Sequence, residues 1–188
     1  MAPRRLIVGI SGSSAPHYGV RLLEVLRPLD VEVHLVMSAG AHQTIRYEME
    51  RDPAEVAALA DVVHDERDVG AGPASGTFLT EGMVVAPCSI RTLSAIAASA
   101  NDNLIVRAAD VCLKERRRLV LVVRETPLHL GHLRLMARVT EAGGVILPPV
   151  PAFYHRPASV AELIDHTVTK VLDQFGIHLD LIRRWEGL

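Results

Sequence analysis

Apolar residues recur along the chain in two rhythms that take turns. Short unbroken or alternating runs predict strands at 5–10, 31–37, 83–86, 119–123 and 145–147. Between them, spacings of three and four predict helices. The first starts at Pro16 and runs through Leu26, followed by 41–48 and 53–60, the latter behind Asp52. Next come 90–100 and a helix opening at Asn103, with Leu104, Ala108, Val111 and Cys112 on one stripe. The last two are 132–142, closed by Gly143 and Gly144, and a helix through Phe175 that Ser159 and Glu162 open as a capping box. The run 119–123 is Leu and Val throughout, as expected of a strand buried on both faces. Residues 62–82 are polar and glycine-rich and read as a long loop or flap. Residues 148–157 carry prolines around an aromatic and basic residues and read as stiff, extended chain.

Strand and helix alternate without an internal repeat or a boundary. This predicts an α/β domain over 1–188, a doubly wound parallel sheet of Rossmann-like or flavodoxin-like type in a three-layer sandwich. Ligands of such sheets sit beyond the carboxyl ends of the strands. Those ends carry Gly12, Ser13 and Ser14, then Ser38, Ser89 and Arg124. The small turn 11–15 ahead of a helix offers amide groups and a helix dipole to a phosphate. It is neither a dinucleotide fingerprint nor a nucleoside-triphosphate loop, and as a bare turn it is equally well only a tight connection. Ser89 stands where an N-cap belongs, with Thr92 one turn inside, which a plain cap also explains. Arg124 and Glu125 end a rigid strand just before Thr126-Pro127, and they read as a site or as a surface pair.

Composition narrows the picture. A net charge of −2 argues against non-specific binding to nucleic acid or an anionic membrane. No apolar run approaches bilayer length, and the N-terminal residues read as a first strand rather than a secretion signal. Cys88 and Cys112 lie in apolar surroundings and suggest reduced core thiols of a cytoplasmic protein. The histidines lack metal spacing: His129 and His132 have no third ligand. The tail, about 177–188, carries the sole tryptophan, Trp185, and is expected to bury against a neighbouring subunit.

Several ordered motifs carry a resemblance. They are Pro87-Cys88-Ser89 with Thr92-Leu93; Asn103-Leu104 with Arg107-Ala108-Ala109-Asp110-Val111; Leu113-Lys114-Glu115-Arg116-Arg117; Arg124-Glu125 with Pro127; and Leu147-Pro148-Pro149 running on to Tyr154-His155-Arg156-Pro157. Over nearly the whole chain this resembles the UbiX-like flavin prenyltransferases. The resemblance implies an enzyme that needs no metal and moves a dimethylallyl group from dimethylallyl monophosphate to N5 and C6 of reduced FMN. The product, prenylated FMN, serves UbiD-type decarboxylases. The resemblance further implies a homododecamer with sites at subunit interfaces. Carried over residue by residue, Gly12, Ser13, Ser14, Ser38, Ser89, Ile90, Arg91, Thr92 and Arg124 match FMN-binding positions. Arg107, Lys114, Tyr154, Lys170 and Trp185 match the prenyl-phosphate side, and Ser14, Glu48, Lys114 and Glu125 the catalytic positions.

Protein cations suit this chemistry, because breaking an allylic C–O bond leaves negative charge on the phosphate, and the chain has no Asp-rich element to bind magnesium diphosphate. Taken singly, Lys114 fits a solvated basic run, Lys170 a surface lysine and Tyr154 a packing residue. Two positions depart from the family. Its first turn usually reads SGASGA, where this chain has Ala15 followed by Pro16, and a lysine common after the second-strand serine is Ala39 here. Two other readings compete. One is an FMN-dependent cysteine-type decarboxylase, whose PASANT motif is met here only by Pro73-Ala74-Ser75-Gly76. The other is a non-enzymatic flavin-binding accessory subunit.

Overall fold

The computed structural model describes residues 4–185 and 187. Its strands are β1 (Arg5–Ile10), β2 (Glu32–Met37), β3 (Val62–His64), β4 (Gly82–Cys88), β5 (Arg118–Val123) and β6 (Val145–Ile146). Its helices are α1 (His17–Leu26), α2 (Ala39–Met49), α3 (Pro53–Ala57), α4 (Ile90–Ala97), α5 (Leu104–Lys114), α6 (Leu130–Glu141) and α7 (Val160–Asp173). All strand pairs are parallel, in the order β3-β2-β1-β4-β5-β6. This is the expected doubly wound, flavodoxin-like sheet. Two apolar clusters cover its faces, one including Leu6, Val8, Leu23 and Val168, the other Ile7, Val85, Ile105 and Leu121. Alternate residues of β1 enter opposite clusters, as the two-residue period of a strand requires.

Each strand predicted from an apolar run is present within a few residues, but β3 went unread inside the segment expected to be a flap. It has three residues, and two of its side chains are only half-buried. What holds it is cross-strand: buried His34 on β2 has Nδ1 2.9 Å from His64 Nε2 and Nε2 2.7 Å from Glu32 Oε1. The rest of the flap contains one 3-10 turn at Gly72–Ala74. Six helices open on a side-chain cap, from Ser38, Asp52, Ser89, Asn103, His129 and Ser159, each contributing about 1 kcal/mol. The capping box at Ser159 closes differently from expectation: Glu162 reaches back to the amide of Ala158 at 3.0 Å. Helix α1 has Pro16 at its N-cap and no side-chain cap.

The tail turns back on its own chain. Ile177 is buried, Leu179 and Leu181 pack against the core, and Arg184 bonds Asp173 at 2.8 Å, while Trp185 remains 57% exposed. No helix among the described residues is long and apolar enough to cross a membrane. Both cysteines are free and buried; burial pushes the Cys112 thiol up to about 12 and Cys88 higher still, which makes neither a nucleophile.

Two backbone features set measurable costs. A Cβ on Gly19 of α1 would lie 2.1 Å from the Ala86 carbonyl oxygen, so the helix lies directly on β4. Gly19→Ala should lower unfolding stability in urea by about 1–3 kcal/mol through overpacking, although alanine is the better helix former. Ala15 occupies left-handed backbone, φ 67°, at the position where the family usually has glycine. A Cβ there is unfavourable by about 1–2 kcal/mol. Ala15→Gly should therefore raise the urea midpoint by the equivalent of about 1 kcal/mol, and Ala15→Val should lower it.

Candidate functional site

The strand order reverses between β1 and β4, and the crevice at their carboxyl ends is where such a sheet places a ligand. Ser11, 1% exposed, joins the two turns. Its amide and hydroxyl donate to the Pro87 carbonyl at 3.2 and 2.8 Å, and its Oγ accepts from the Ser89 amide at 2.8 Å. Ser13 Oγ donates to the Arg124 carbonyl at 2.8 Å, and the Arg124 amide donates to the Cys88 carbonyl at 3.1 Å. Ser14 Oγ donates to Glu48 Oε2 at 3.1 Å, and the same oxygen accepts from the Ala15 amide at 2.7 Å. Five hydroxyls, one carboxylate and one guanidinium thus gather from β1, α2, β4, α4 and β5: those of Ser11, Ser13, Ser14, Ser89 and Thr92, with Glu48 and Arg124.

Much of this crevice is lined by open donors. Among the described residues, the amides of Gly12, Ser13 and Ser14 and those of Ile90 and Arg91 in the first turn of α4 have no acceptor in the chain. Ser89 Oγ accepts from the Thr92 amide and donates to Thr92 Oγ1 at 3.1 Å. Gly12 and Gly40 meet backbone to backbone: a Cβ on Gly12 would lie 2.8 Å from Gly40 Cα. Ser38 caps α2 through the Ala41 amide at 3.1 Å, the neighbouring Ala39 amide goes to Glu66 at 2.8 Å, and the Arg91 side chain is exposed. Open amides at a helix N-terminus suit a phosphate monoester, and glycine at 12 is what lets the β1 turn lie against the start of α2 at Gly40 while its amides stay open. The residues fit FMN.

A second group lies on α7 and the segment before it. Tyr154 Oη is 2.9 Å from His166 Nε2, the His155 ring stacks on His166 with centroids 5.0 Å apart, and Trp185 meets Tyr154 edge to face. A cavity of about 500 Å³ opens between Tyr154, His155, Arg156, Arg183, Arg184 and Trp185. Lys170 is exposed one turn along from His166. Tyr18 on α1 stands between this group and the crevice. Burial raises its pKa, while Arg124 and Thr167, the neighbour of His166, pull it the other way.

Three of the expected residues make no side-chain hydrogen bond, among the described residues, to the groups gathered in the crevice. Lys114 ends α5 and pairs with Glu115. It lies close to Arg118, which is level with Gly82 at the amino end of the sheet, whereas Val123 is level with Cys88 at the carboxyl end. The length of β5, six residues at about 3.3 Å each, separates Lys114 from Arg124 within one chain. Arg107 holds the flap, its Nε donating to the Ala74 carbonyl at 3.1 Å and its Nη1 to Asp110 at 3.3 Å. Glu125 is exposed and accepts only from the Thr126 amide, at 3.0 Å. The larger cavity, about 650 Å³ beside β2 and β3 and lined by Met37, His42, His64 and Arg67 among others, holds none of the expected residues. Sequence reasoning passed over Ser11, Tyr18 and His166. Ser11 ends an apolar run, which was its one available signal; the other two carry none that separates them from helix residues at large.

Comparison with known proteins agrees with this geometry. The flavoprotein family model matches residues 1–170. The flavin prenyltransferase UbiX of Escherichia coli (strain K12) is 62% identical over 187 residues, 98% of this chain and 99% of that protein. A crystal structure of AnUbiX (PadA1) in complex with FMN and dimethylallyl pyrophosphate superposes with a TM-score of 0.97 at 50% identity, covering 99% of both chains. A dodecameric FMN-dependent UbiX-like decarboxylase from Escherichia coli O157:H7 superposes with a TM-score of 0.95 at 48% identity, covering 97% of this chain and 100% of that one. The FMN-dependent cysteine decarboxylase TvaF, at 17% identity and a TM-score of 0.62 over 88% of this chain and 98% of that one, shares the fold alone. With its crevice, its sheet order and its full-length likeness in agreement, the chain belongs to the UbiX family of flavin prenyltransferases.

Proposed function

We propose that this protein is a flavin prenyltransferase that moves a dimethylallyl group from dimethylallyl monophosphate to N5 and C6 of reduced FMN. The observation that carries this is the gathering of Gly12, Ser13, Ser14, Glu48, Ser89, Thr92 and Arg124 at the switch point of a chain so similar to flavin prenyltransferases from end to end. Bound FMN supplies the two nucleophilic positions. The protein holds it: amides of the β1 turn and of α4, with Ser89 and Thr92, take the phosphate, and Arg124 and Ser38 take polar edges. Glu48, fixed by Ser14 and the Ala15 amide, keeps a carboxylate at the crevice wall for proton handling. Glu125 at the mouth, or the released phosphate, accepts the proton lost from C6.

Cleaving the allylic C–O bond requires positive charge around the departing phosphate. Tyr154 and Lys170 supply one side of that cradle. Arg107 and Lys114 supply the other from a neighbouring copy, because the length of β5 keeps Lys114 from the crevice of its own chain. Homododecameric assembly, with Trp185 and the end of the tail against a neighbour, fits this division of labour. The product then passes to a UbiD-type decarboxylase in the cytoplasm, where the buried thiols of Cys88 and Cys112 stay reduced.

The decisive experiment is a mass spectrum of the flavin released after anaerobic incubation with reduced FMN, run with dimethylallyl monophosphate and, in parallel, with the pyrophosphate. A product heavier by one prenyl unit with the monophosphate is expected. Transfer from the pyrophosphate alone would change the donor, and unmodified FMN from protein that binds it would leave a flavin-binding accessory subunit. Lys114→Ala should keep FMN binding, followed by flavin absorbance, and lose prenyl transfer by about 100-fold or more, the scale of one cationic contact to a developing charge. Normal turnover by that variant would remove Lys114 from the cradle.

A further inference from the structure

His166 lies beneath Tyr154. It is 9% exposed on α7, with Nε2 2.9 Å from Tyr154 Oη and the face of His155 stacked on its ring at an interplanar angle of 5°. Its partner matters because the Tyr154 hydroxyl has one proton to give. If Nε2 accepts that proton's hydrogen bond, Tyr154 presents lone pairs to the cavity, and a phosphate oxygen, itself an acceptor, is repelled. If Nε2 carries hydrogen and donates to Oη, the Tyr154 proton is free to face an anion.

We propose that His166 is a positioning residue that donates to Tyr154 Oη and so turns the Tyr154 proton toward the phosphate of the prenyl donor. This rests on the reading of Tyr154 as a phosphate-holding residue. The surroundings fit a donor whose hydrogen becomes most useful when an anion arrives. His155 from the preceding segment and Lys170 from its own helix act on His166, and Arg156, Arg183 and Arg184 line the cavity beside Tyr154. Asp165 is committed to Arg21 of α1 at 2.7 Å, Arg184 to Asp173, and Tyr18 of α1 is neutral. Burial first, then His155 and Lys170, lower the His166 pKa, so the ring is neutral in the free protein at pH 7. A bound dianion offsets those cations and favours the imidazolium, which donates from Nε2 whatever tautomer preceded it. Donor binding therefore takes up a proton, and affinity falls as pH rises between the free and bound His166 values.

Two variants separate this role from plain packing. Gln in place of His166 retains an N–H for Tyr154 but does not titrate; Leu fills the space with no donor. His166→Leu should raise the KM for dimethylallyl monophosphate by about tenfold, one hydrogen bond to a charged group, with FMN binding unchanged. His166→Gln should restore most of that loss and flatten the rise of donor KM with pH relative to the wild-type protein; the donor's own ionisation is common to both. On a Tyr154→Phe background, His166→Leu should add nothing. Equal impairment by Gln and Leu, or additive losses on Tyr154→Phe, would reduce His166 to a packing residue. A wild-type KM in Tyr154→Phe alone would instead overturn the phosphate-holding role of Tyr154. Should His166→Leu fail to fold, calorimetry of dimethylallyl monophosphate binding to wild-type protein in buffers of different ionisation enthalpy reads the proton directly. Less uptake in His166→Gln than in the wild type supports the proposal, and equal uptake defeats it.

Discussion

The crevice depends on a buried hydroxyl. Ser11 Oγ donates to the Pro87 carbonyl and accepts from the Ser89 amide, so the turn after β1 and the turn after β4 move as one piece. In a low-dielectric interior a satisfied hydroxyl of this kind rigidifies its surroundings, whereas an unpartnered one costs about 1–3 kcal/mol. Ser13 extends the same logic to the end of β5 through the Arg124 carbonyl, and Gly12 to α2 through its contact with Gly40. Four sheet-end turns are thereby locked to one another by hydroxyl-to-main-chain hydrogen bonds and one backbone contact. The amides left over, on Gly12, Ser13, Ser14, Ile90 and Arg91, together with the Thr92 and Arg124 side chains, are the ones able to face a ligand.

That division explains why some of the site was legible in the sequence and some was not. The strands β1, β4 and β5 are written as apolar runs, because a parallel sheet covered on both faces favours apolar residues along the strand, and β2 is written as an alternation. Their carboxyl ends are therefore visible, and with them Ser13, Ser38, Ser89 and Arg124. β3 was not visible, since it is stabilised by a buried His34–His64 contact rather than by its own hydrophobicity. Glu48 was found only through resemblance: it reaches Ser14 from the last turn of a helix, 34 residues away. Periodicity places side chains on faces and does not pair them across such distances. His166 illustrates the same limit, being a helix residue like its neighbours until Tyr154 folds over it.

The cations follow a different rule. The carboxyl-end crevice holds one guanidinium, Arg124, and many neutral donors, enough to seat one phosphate monoester. Lys114 and the arginines 116–118 sit at the amino end of the sheet, where Arg117 donates to the Phe78 and Gly76 carbonyls at 2.7 and 2.5 Å. Lys114 is left half-exposed with Glu115 as its sole partner among the described residues. A site that must both bind flavin phosphate and stabilise a departing phosphate needs two separate positive regions, and one chain presents them at opposite ends of its sheet. Exposed Tyr47 beside Glu48, with Phe153 beside Tyr154 and Trp185 in the tail, adds apolar surface next to residues assigned to the chemistry. The proposed assembly would join the two requirements: covering those aromatic side chains would exclude water from the crevice and carry a neighbour's cations toward it. In that arrangement a charge in the cradle acts through a lower dielectric, where it is worth several times its value in water. In the proposed assembly an allyl phosphate would ionise against protein cations, with the phosphate held on one chain's α7 and answered from another chain's α5.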